Sequence, residues 1–187
     1  NTTGVFIMLH HKPKQKTPLL GCYRINNDEI ELPSYATEKS ACFDIHADLS
    51  REICIQSYYK GKKEELKIKP NQSYYLRPQE RALIPTGLVF HMPEGYSLRL
   101  HPRSGLAWKH GVTLLNAEGV IDEDYYNETF ALMYNAGHIN FTINHNDRIC
   151  QGEIVKTTKT GIELINSEPK QTTDREGGFG STGVNNE

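Results

Sequence analysis

The sequence predicts an all-β fold, as a barrel, a sandwich or a jelly roll. Apolar and polar residues alternate with a period of two in several segments, which is typical of half-buried strands. The breaks between these segments are short and carry glycine, proline and asparagine, as turns do. Many short strands with frequent turns are typical of these three architectures. The 187 residues, 37 % of them hydrophobic, suffice for a core and fit one domain with tails, with two small domains as the alternative.

Three segments carry the alternation most clearly, namely Tyr96–His101, Phe130–Asn135 and 139–144. One helix is predicted over 105–110, with Ser104 as its N-cap and Gly111 just beyond its C-terminal end.

The segment 51–69 is rich in lysine and has Gly61 at its middle. We interpret it as a solvated hairpin or loop that projects from the barrel, with a partner-binding surface as the alternative. From Ser167 the composition becomes polar and then glycine-rich, which predicts a mobile tail. The predicted domain therefore covers residues 1–166 and the predicted tail covers 167–187.

The overall charge and the cysteine pattern exclude several classes of protein. A formal net charge of −2 lacks the basic excess of a protein that binds duplex DNA through its phosphates. No apolar run is long enough for a membrane span or a secretory signal, which predicts a cytoplasmic protein. The four cysteines show no CxxC pairing and are predicted to be buried free thiols. The eight histidines show no metal-binding spacing, so no metal site built by protein ligands alone is predicted.

Three segments are candidates for chemistry. At 102–107 an arginine and a serine precede the predicted helix, which suits phosphate, although an ordinary capped helix has the same pattern. At 116–125 Asp122 follows two apolar residues, and partial desolvation there would make it a useful base; a solvated hairpin is the alternative. At 175–183 the glycines could form an anion-binding nest, or merely a disordered linker.

The order of these segments resembles the trimeric all-β dUTPases. Five stretches match in order: SACFDIHA at 40–47, PRSGLA at 102–107, GVIDEDY at 119–125, DRICQ at 147–151 and GGFGSTG at 177–183. The sequence departs from the family pattern where Cys42 and Asn127 replace glycines and Cys150 replaces an alanine. Arg175 lies one residue closer to Phe179 than is usual, and 51–69 is longer than the usual connection.

The resemblance implies a jelly-roll-like, distorted β-barrel with one short helix and a flexible C-terminal tail. It implies hydrolysis of dUTP to dUMP and pyrophosphate with Mg²⁺ held by the triphosphate, which keeps uracil out of DNA and supplies dUMP for thymidylate synthesis. The implied catalytic residues are Asp122 as the base that activates water, Gln151 as an organiser of water, and Asp44, which acts on the metal indirectly through water.

The resemblance also assigns substrate contacts. Arg103, Ser104 and Gly105 would hold the phosphates. The hairpin over 116–125 would recognise uracil through the Asn116 amide and the backbone of Gly119, Val120 and Ile121, while Tyr125 would pack on the deoxyribose. In the tail, Phe179 would stack on uracil, and the γ-phosphate would be covered by Arg175, Gly180, Ser181 and Thr182.

In this family three active sites lie at the subunit interfaces of a homotrimer, so the resemblance implies shared sites and no direct nucleic-acid or membrane partner. A dCTP deaminase shares the fold but needs a glutamate where this sequence has Leu132. A nucleotide-sensing regulatory protein is the alternative from another class. The residues Asp122 and Gln151 favour turnover without excluding a second, regulatory role.

Overall fold

The computed structural model of the chain describes residues 17–26 and 30–174. The chain divides into two units, Asn1–Thr157 and Thr158–Glu187. The helix and all strands of the described residues belong to the first unit. In the second unit, residues 158–174 are exposed and form neither helix nor strand. The predicted boundary between residues 166 and 167 falls inside this second unit and stays a prediction.

The strands are short and follow one another closely. The first eight are β1 (Gly21–Arg24), β2 (Ser34–Tyr35), β3 (Phe43–His46), β4 (Ile53–Tyr59), β5 (Lys62–Ile68), β6 (Tyr74–Leu76), β7 (Arg81–Pro85) and β8 (Leu88–His91). The remaining elements are β9 (Tyr96–His101), α1 (Ser104–His110), β10 (Val112–Leu114), β11 (Gly119–Ile121), β12 (Phe130–Asn135), β13 (Phe141–Ile143) and β14 (Arg148–Lys156).

Two five-stranded antiparallel sheets dominate the fold. One has the order β10-β12-β7-β4-β5 and the other the order β11-β9-β14-β3-β2. Two smaller sheets pair β1 with β8 and β13 with β6. The hydrophobic core of the described residues includes Ile84 and Met133 from the first large sheet and Ile45 and Leu98 from the second, all of them fully buried. This arrangement confirms the predicted all-β, jelly-roll-like fold.

The predicted strands are confirmed where the alternation is longest. Tyr96–His101 and Phe130–Asn135 are β9 and β12, and every second residue of β12 is buried. The prediction over 139–144 is too long, because only Phe141–Ile143 pairs with β6 and Ile139 remains 76 % exposed. An alternating sequence forms a strand only where a neighbouring strand can pair with it, and β6 has only three residues.

The helix prediction is correct at its C-terminal end and wrong at its N-terminal end. Helix α1 ends before Gly111, whose φ of 68° is left-handed and closes the helix. It begins at Ser104, so the N-cap position belongs to Arg103, whose side chain makes no capping hydrogen bond. Ser104 is therefore not the N-cap. The Arg103 side chain instead contacts Asp44 and the Arg148 carbonyl.

The segment 51–69 forms a hairpin, as predicted, but it does not simply project from the barrel. Strands β4 and β5 pair along seven residues each, and β4 also pairs with β7 at Ser57 and Tyr58. Ile55 and Ile68 are fully buried in the core. The hairpin thus widens the first sheet.

Strand β14 passes directly beneath the ring of Phe43. Gly152 lies opposite Phe43 in the ladder between β14 and β3. A Cβ atom at Gly152 would lie 2.7 Å from Cζ of Phe43 and 2.9 Å from Cδ1 of Leu98. Both side chains are almost fully buried and cannot move into open space. Only glycine fits at this position while Phe43 is present.

All four cysteines are free, as predicted, but the prediction that they are buried holds only for Cys150. Burial raises the pKa of the Cys150 thiol to about 12. Cys54 is exposed on β4, and Cys22 and Cys42 are half-buried. In the part of the chain that the structure describes, no helix is both long and apolar enough to cross a membrane.

A buried carboxylate fastens the hairpin to the rest of the fold. Glu80 is 1 % exposed and accepts hydrogen bonds from the Tyr74 hydroxyl at 2.6 Å and from the Arg77 backbone N–H at 2.8 Å. Nε of Arg77 also donates to Glu80, at 2.9 Å, and its Nη2 donates to Glu64 of β5 at 2.6 Å. Burial alone would raise the pKa of Glu80, but these hydrogen bonds outweigh it and lower the pKa.

We therefore predict that Glu80→Gln lowers the free energy of unfolding by about 2 kcal/mol at pH 7, since hydrogen bonds to a buried charge are lost. Because the folded pKa lies below the unfolded value of about 4.3, the carboxylate stabilises the fold fully above about pH 5. That contribution is lost as the pH falls through the folded pKa, so the difference between wild type and variant should shrink in acid.

Urea unfolding at pH 7 and pH 4 measures both effects. Glu65→Gln is the matched control, because Glu65 pairs with Lys63 while both side chains are about half exposed, and it should cost well under about 1 kcal/mol. Equal stability of wild type and Glu80→Gln at pH 7 would refute the role given to this carboxylate.

Candidate active site

The Asp44 carboxylate joins three segments that are distant in the sequence. Its side chain is 9 % exposed. Nε of Arg103 lies 3.3 Å from Oδ1, Nη1 of Arg148 donates to Oδ2 at 3.3 Å, and Nε2 of Gln151 donates to Oδ1 at 3.2 Å. Three of the predicted site residues, Asp44, Arg103 and Gln151, are thereby brought together around one buried charge.

The register of the second sheet accounts for this cluster. Gln151 of β14 lies opposite Asp44 of β3 on one side and opposite His101 of β9 on the other. Cross-strand partners project to the same face of a sheet. The chain then leaves β9, and Arg103 follows after two residues, so its guanidinium reaches back to Asp44.

Arg148 joins the cluster through an irregularity in β14. Residues three apart in a regular strand point to opposite faces, so Arg148 and Gln151 should diverge. The register shifts between Arg148 and Cys150, and this bulge places Arg148 opposite His46, on the same face as Asp44. Sequence reasoning did not include Arg148 among the site residues, although it lies inside the quoted DRICQ stretch.

Arg103 connects the cluster to the start of helix α1. Its Nη1 donates to the Arg148 carbonyl at 2.9 Å, while its own carbonyl accepts from the N–H groups of Leu106 and Ala107. The first N–H groups of a helix, here those of Ser104 and Gly105, have no partner within the helix. Arg103, Ser104 and Gly105 thus present donors next to each other, as an anion-binding segment requires.

A polar cleft of about 340 Å³ opens beside Asp44 and Arg148. Its other lining residues include Glu31, Ser34 and His46. Burial lowers the pKa of His46, so this ring is neutral at pH 7 and adds no positive charge to the cleft. His46 was not singled out from the sequence, although it lies two residues after Asp44 in the first matching stretch.

The segment 116–125 does not form the predicted hairpin. β10 pairs with β12 of the first sheet, whereas β11 pairs with β9 of the second. The chain therefore crosses from the first sheet to the second at 115–118. The Asn116 amide nitrogen would lie 3.3 Å from a Cβ at Gly119, so the amide packs against the buried glycine. Along β11, Val120 is exposed and Ile121 is half-buried.

Asp122 follows β11 and is exposed in the single chain, so the predicted partial desolvation is not found there. Its carbonyl accepts from the Tyr125 N–H at 3.2 Å, and the Tyr125 hydroxyl donates to the Glu128 carbonyl at 3.0 Å. The turn is therefore well defined although the carboxylate is open to solvent.

Asp122 and Asp44 are far apart within one chain. Ile121 lies opposite Leu98 of β9. Asp44 lies opposite Gln151, which itself lies opposite His101 of β9, so Asp44 is level with His101. Three strand spacings across the sheet and about four residues along it separate the two carboxylates by about 20 Å. Within the residues that the structure describes, no hydrogen bond or ion pair joins Asp122 or Tyr125 to the Asp44 cluster. The predicted site residues thus form two separate groups.

The predicted tail residues fall outside the described part of the chain. These are Arg175, Phe179, Gly180, Ser181 and Thr182.

Comparisons with known proteins show which family the chain is similar to. A family model described as dUTPase matches residues 65–183. A deoxyuridine 5'-triphosphate nucleotidohydrolase of Bartonella quintana (strain Toulouse) is 41 % identical over 162 residues, which cover 82 % of this chain and 77 % of that protein. One of Rhizobium etli (strain CIAT 652) is 36 % identical over 177 residues, covering 94 % of this chain and 99 % of that protein.

Solved structures share the fold. The dUTPase of Staphylococcus bacteriophage 80alpha with dUPNHPP superposes with a TM-score of 0.70 at 20 % identity, covering 90 % of this chain and 100 % of that one. A point mutant of the dUTPase from phage phi11 of S. aureus, which reveals the coordination of a structural Mg(II) ion, gives a TM-score of 0.62 at 18 % identity over 80 % of this chain and 97 % of that one.

Proposed function

The chain belongs to the dUTPase family, and on that premise we propose that it hydrolyses dUTP to dUMP and pyrophosphate as a dUTP diphosphatase. The observation that carries the proposal is the Asp44 cluster. It unites one residue from each of three matching stretches, Asp44, Arg103 and Gln151, beside a polar cleft. In the cell this reaction keeps uracil out of DNA and supplies dUMP for thymidylate synthesis.

The phosphate chain of dUTP binds at Arg103, Ser104 and Gly105. The planar guanidinium of Arg103 offers paired donors that match phosphate oxygens. The helix start adds backbone N–H groups that need no rearrangement to donate. Asp44 fixes the guanidinium in advance through the 3.3 Å contact with Nε. Donors that are already in place stabilise charge on the leaving pyrophosphate.

Asp122 acts as the general base that takes a proton from the water attacking the α-phosphorus. A well-placed base of this kind contributes about 10²–10⁴ in rate. Gln151 orients water near the phosphates with its amide, whose nitrogen already donates to Asp44. The proposed base thus belongs to the 116–125 segment, and the proposed phosphate ligands belong to the residues around Asp44.

Uracil is recognised by the segment 116–125. The Asn116 amide and the backbone of Gly119, Val120 and Ile121 pair with the edge of the base. The Asn116 amide nitrogen lies beside Gly119, and the side chain of Asn116 is exposed and so open to a ligand. Tyr125, held by its hydrogen bond to the Glu128 carbonyl, packs on the deoxyribose and leaves no space for a 2′-hydroxyl.

The Asp44 cluster fits an indirect role toward Mg²⁺. Both oxygens of the carboxylate are already engaged by Arg103, Arg148 and Gln151, which leaves Asp44 to contact a metal-bound water rather than the ion. When bound to the triphosphate, Mg²⁺ would neutralise part of its charge and help to orient it. The protein's own contribution is the donor set around the phosphates.

The distance between the two groups supports a homotrimer with shared active sites. About 20 Å within one chain separates Asp122 from Asp44, the carboxylate that contacts the phosphate-binding Arg103. A neighbouring copy can place its own 116–125 segment against the Asp44 cluster. The third copy supplies the tail, in which Phe179 stacks on uracil and Arg175, Gly180, Ser181 and Thr182 cover the γ-phosphate.

We further propose the cytoplasm as the compartment. The four cysteines carry no disulfide, and free thiols are typical of a reducing environment.

With Mg²⁺ present, we predict rapid release of pyrophosphate from dUTP and little release from dTTP, dCTP or UTP, because the 116–125 segment selects uracil and deoxyribose. A pyrophosphate assay with each nucleotide at equal concentration measures this. Comparable turnover of dCTP or UTP would contradict the role assigned to Asn116 and Tyr125.

Asp122→Asn should reduce turnover of dUTP by at least about 100-fold, since the shape remains and only the base is lost. Binding of a non-hydrolysable dUTP analogue should be retained, because the uracil and phosphate contacts do not need that charge. Asp124→Asn is the matched control, an exposed carboxylate in the same turn, and should stay near wild type. Near wild-type turnover by Asp122→Asn with binding intact would show that Asp122 is not the base.

The shared site is tested by mixing two inactive variants. Asp122→Asn and a chain truncated after Lys170 should each be nearly inactive as homotrimers. When the two are unfolded, mixed equally and refolded together, about a quarter of the sites receive an intact base and an intact tail if these come from different chains. Activity should return to about that fraction of wild type. Trimers of correct mass with no recovered activity would rule out the shared site.

A further inference from the structure

A thiol, an imidazole and a carboxylate converge beside the candidate active site without belonging to it. The ligand atoms of Cys42, His101 and Glu153 all lie within 4.8 Å of one another. Nε2 of His101 is 3.1 Å from Oε2 of Glu153. All three side chains are half-buried. The proposed dUTP reaction uses none of them.

The sheet register brings these residues together. Gln151 lies opposite His101, and Glu153 lies two residues further along β14 on the same face. Cys42 directly precedes β3 and lies two residues before Asp44, the partner of Gln151. Each residue sits on a different strand or strand end, so the separation in sequence hides the cluster. A search for short metal-binding motifs therefore could not detect it.

The donor set matches the preferences of Zn²⁺. This ion takes thiolate sulfur at about 2.3 Å and imidazole nitrogen or carboxylate oxygen at about 2.0–2.2 Å, in tetrahedral geometry. Donors of such a tetrahedron lie about 3.3–3.8 Å apart, so side-chain shifts of about 1 Å would complete the set. Mg²⁺ prefers oxygen donors only and is disfavoured by the thiolate and the imidazole.

A fourth ligand is within reach. Oε2 of Glu118 lies 3.9 Å from Nε2 of His101, and its other oxygen lies 3.6 Å from Nη1 of Arg99. Glu118 is about half exposed, so its carboxylate can turn toward the cluster at little cost. We propose that Cys42, His101 and Glu153, with Glu118 in the fourth position, form a Zn²⁺ site in this protein.

Such an ion would connect the three strands that position the candidate active site. Cys42, His101 and Glu153 each lie two residues from Asp44, Arg103 and Gln151, respectively. A metal that binds the folded chain and not the unfolded one stabilises the fold by mass action. Zn²⁺ should therefore raise the melting temperature as well as bind.

The test is a titration of the full chain with Co²⁺, followed by displacement with Zn²⁺. Co²⁺ bound by a thiolate gives an intense near-ultraviolet charge-transfer band, which histidines elsewhere, such as the adjacent His10 and His11, cannot produce. Wild type should show the band, saturating at one Co²⁺ per chain and lost on addition of Zn²⁺. The absence of the band, or Co²⁺ binding without it, would overturn the proposal.

Variants identify the ligands. Cys42→Ser should abolish the band, whereas Cys54→Ser, which removes the exposed thiol on β4, should leave it unchanged. Glu153→Gln keeps the size of the side chain and the thiol and should weaken Zn²⁺ binding at least about 10-fold, the loss typical of even outer partners of a metal. It also serves as the deciding variant if Cys42→Ser fails to fold. Unchanged Zn²⁺ affinity in Glu153→Gln, or loss of the band in Cys54→Ser alone, would contradict the site.

Discussion

Strand β14 lies between β3 and β9, and the candidate active site depends on its register against both. A shift of one residue would turn every side chain of β14 to the other face and separate Gln151 from Asp44. The bulge near Arg148 refines this constraint, because one extra residue brings a second arginine onto the functional face. Asp44 then holds both guanidinium groups in place. The pairing of the strands thus brings these side chains together, and charge attraction then holds them in place.

The same strand pairing also keeps Asp122 away from the Asp44 cluster within one chain. It places β11 at the far edge of the sheet and directs the turn with Asp122 away from the phosphate-binding side. The exposed carboxylate and the preorganised cluster are each well defined, yet they cannot meet within one subunit. In the proposed mechanism, catalysis therefore requires assembly of several subunits. A chain without neighbours has donors for the phosphates but no general base beside them. Burial of Asp122 would come from a neighbour rather than from its own fold.

Patterns of alternation were enough to predict the fold class and the strands β9 and β12. In β12 every second residue is buried, and in β9 the apolar Leu98 and Leu100 are buried as the alternation predicts. Such patterns were not enough at 51–69, where the lysines suggested a solvated hairpin or loop that projects from the barrel, although Ile55 and Ile68 lie in the core. Arg103 was a candidate from the pattern at 102–107, whereas Asp44 and Gln151 were identified only through the resemblance to a family. No local pattern could show that the three residues touch. Arg148 was missed because regular alternation puts it on the wrong face. The apparent hairpin at 116–125 was wrong because strand pairing is decided between sheets, which short sequence windows do not report.

Because the ring of Phe43 lies over Gly152, the residue sizes allowed at these two positions constrain each other in evolution. Any larger residue at position 152 would collide with that ring, so it can be accepted only after position 43 has lost volume. This first step leaves a cavity and lowers stability in the intermediate sequence. Both positions adjoin residues of the candidate active site, so a mismatch would disturb Asp44 and Gln151 as well. Across related sequences, residue size at positions 43 and 152 should therefore vary inversely, with total volume kept nearly constant.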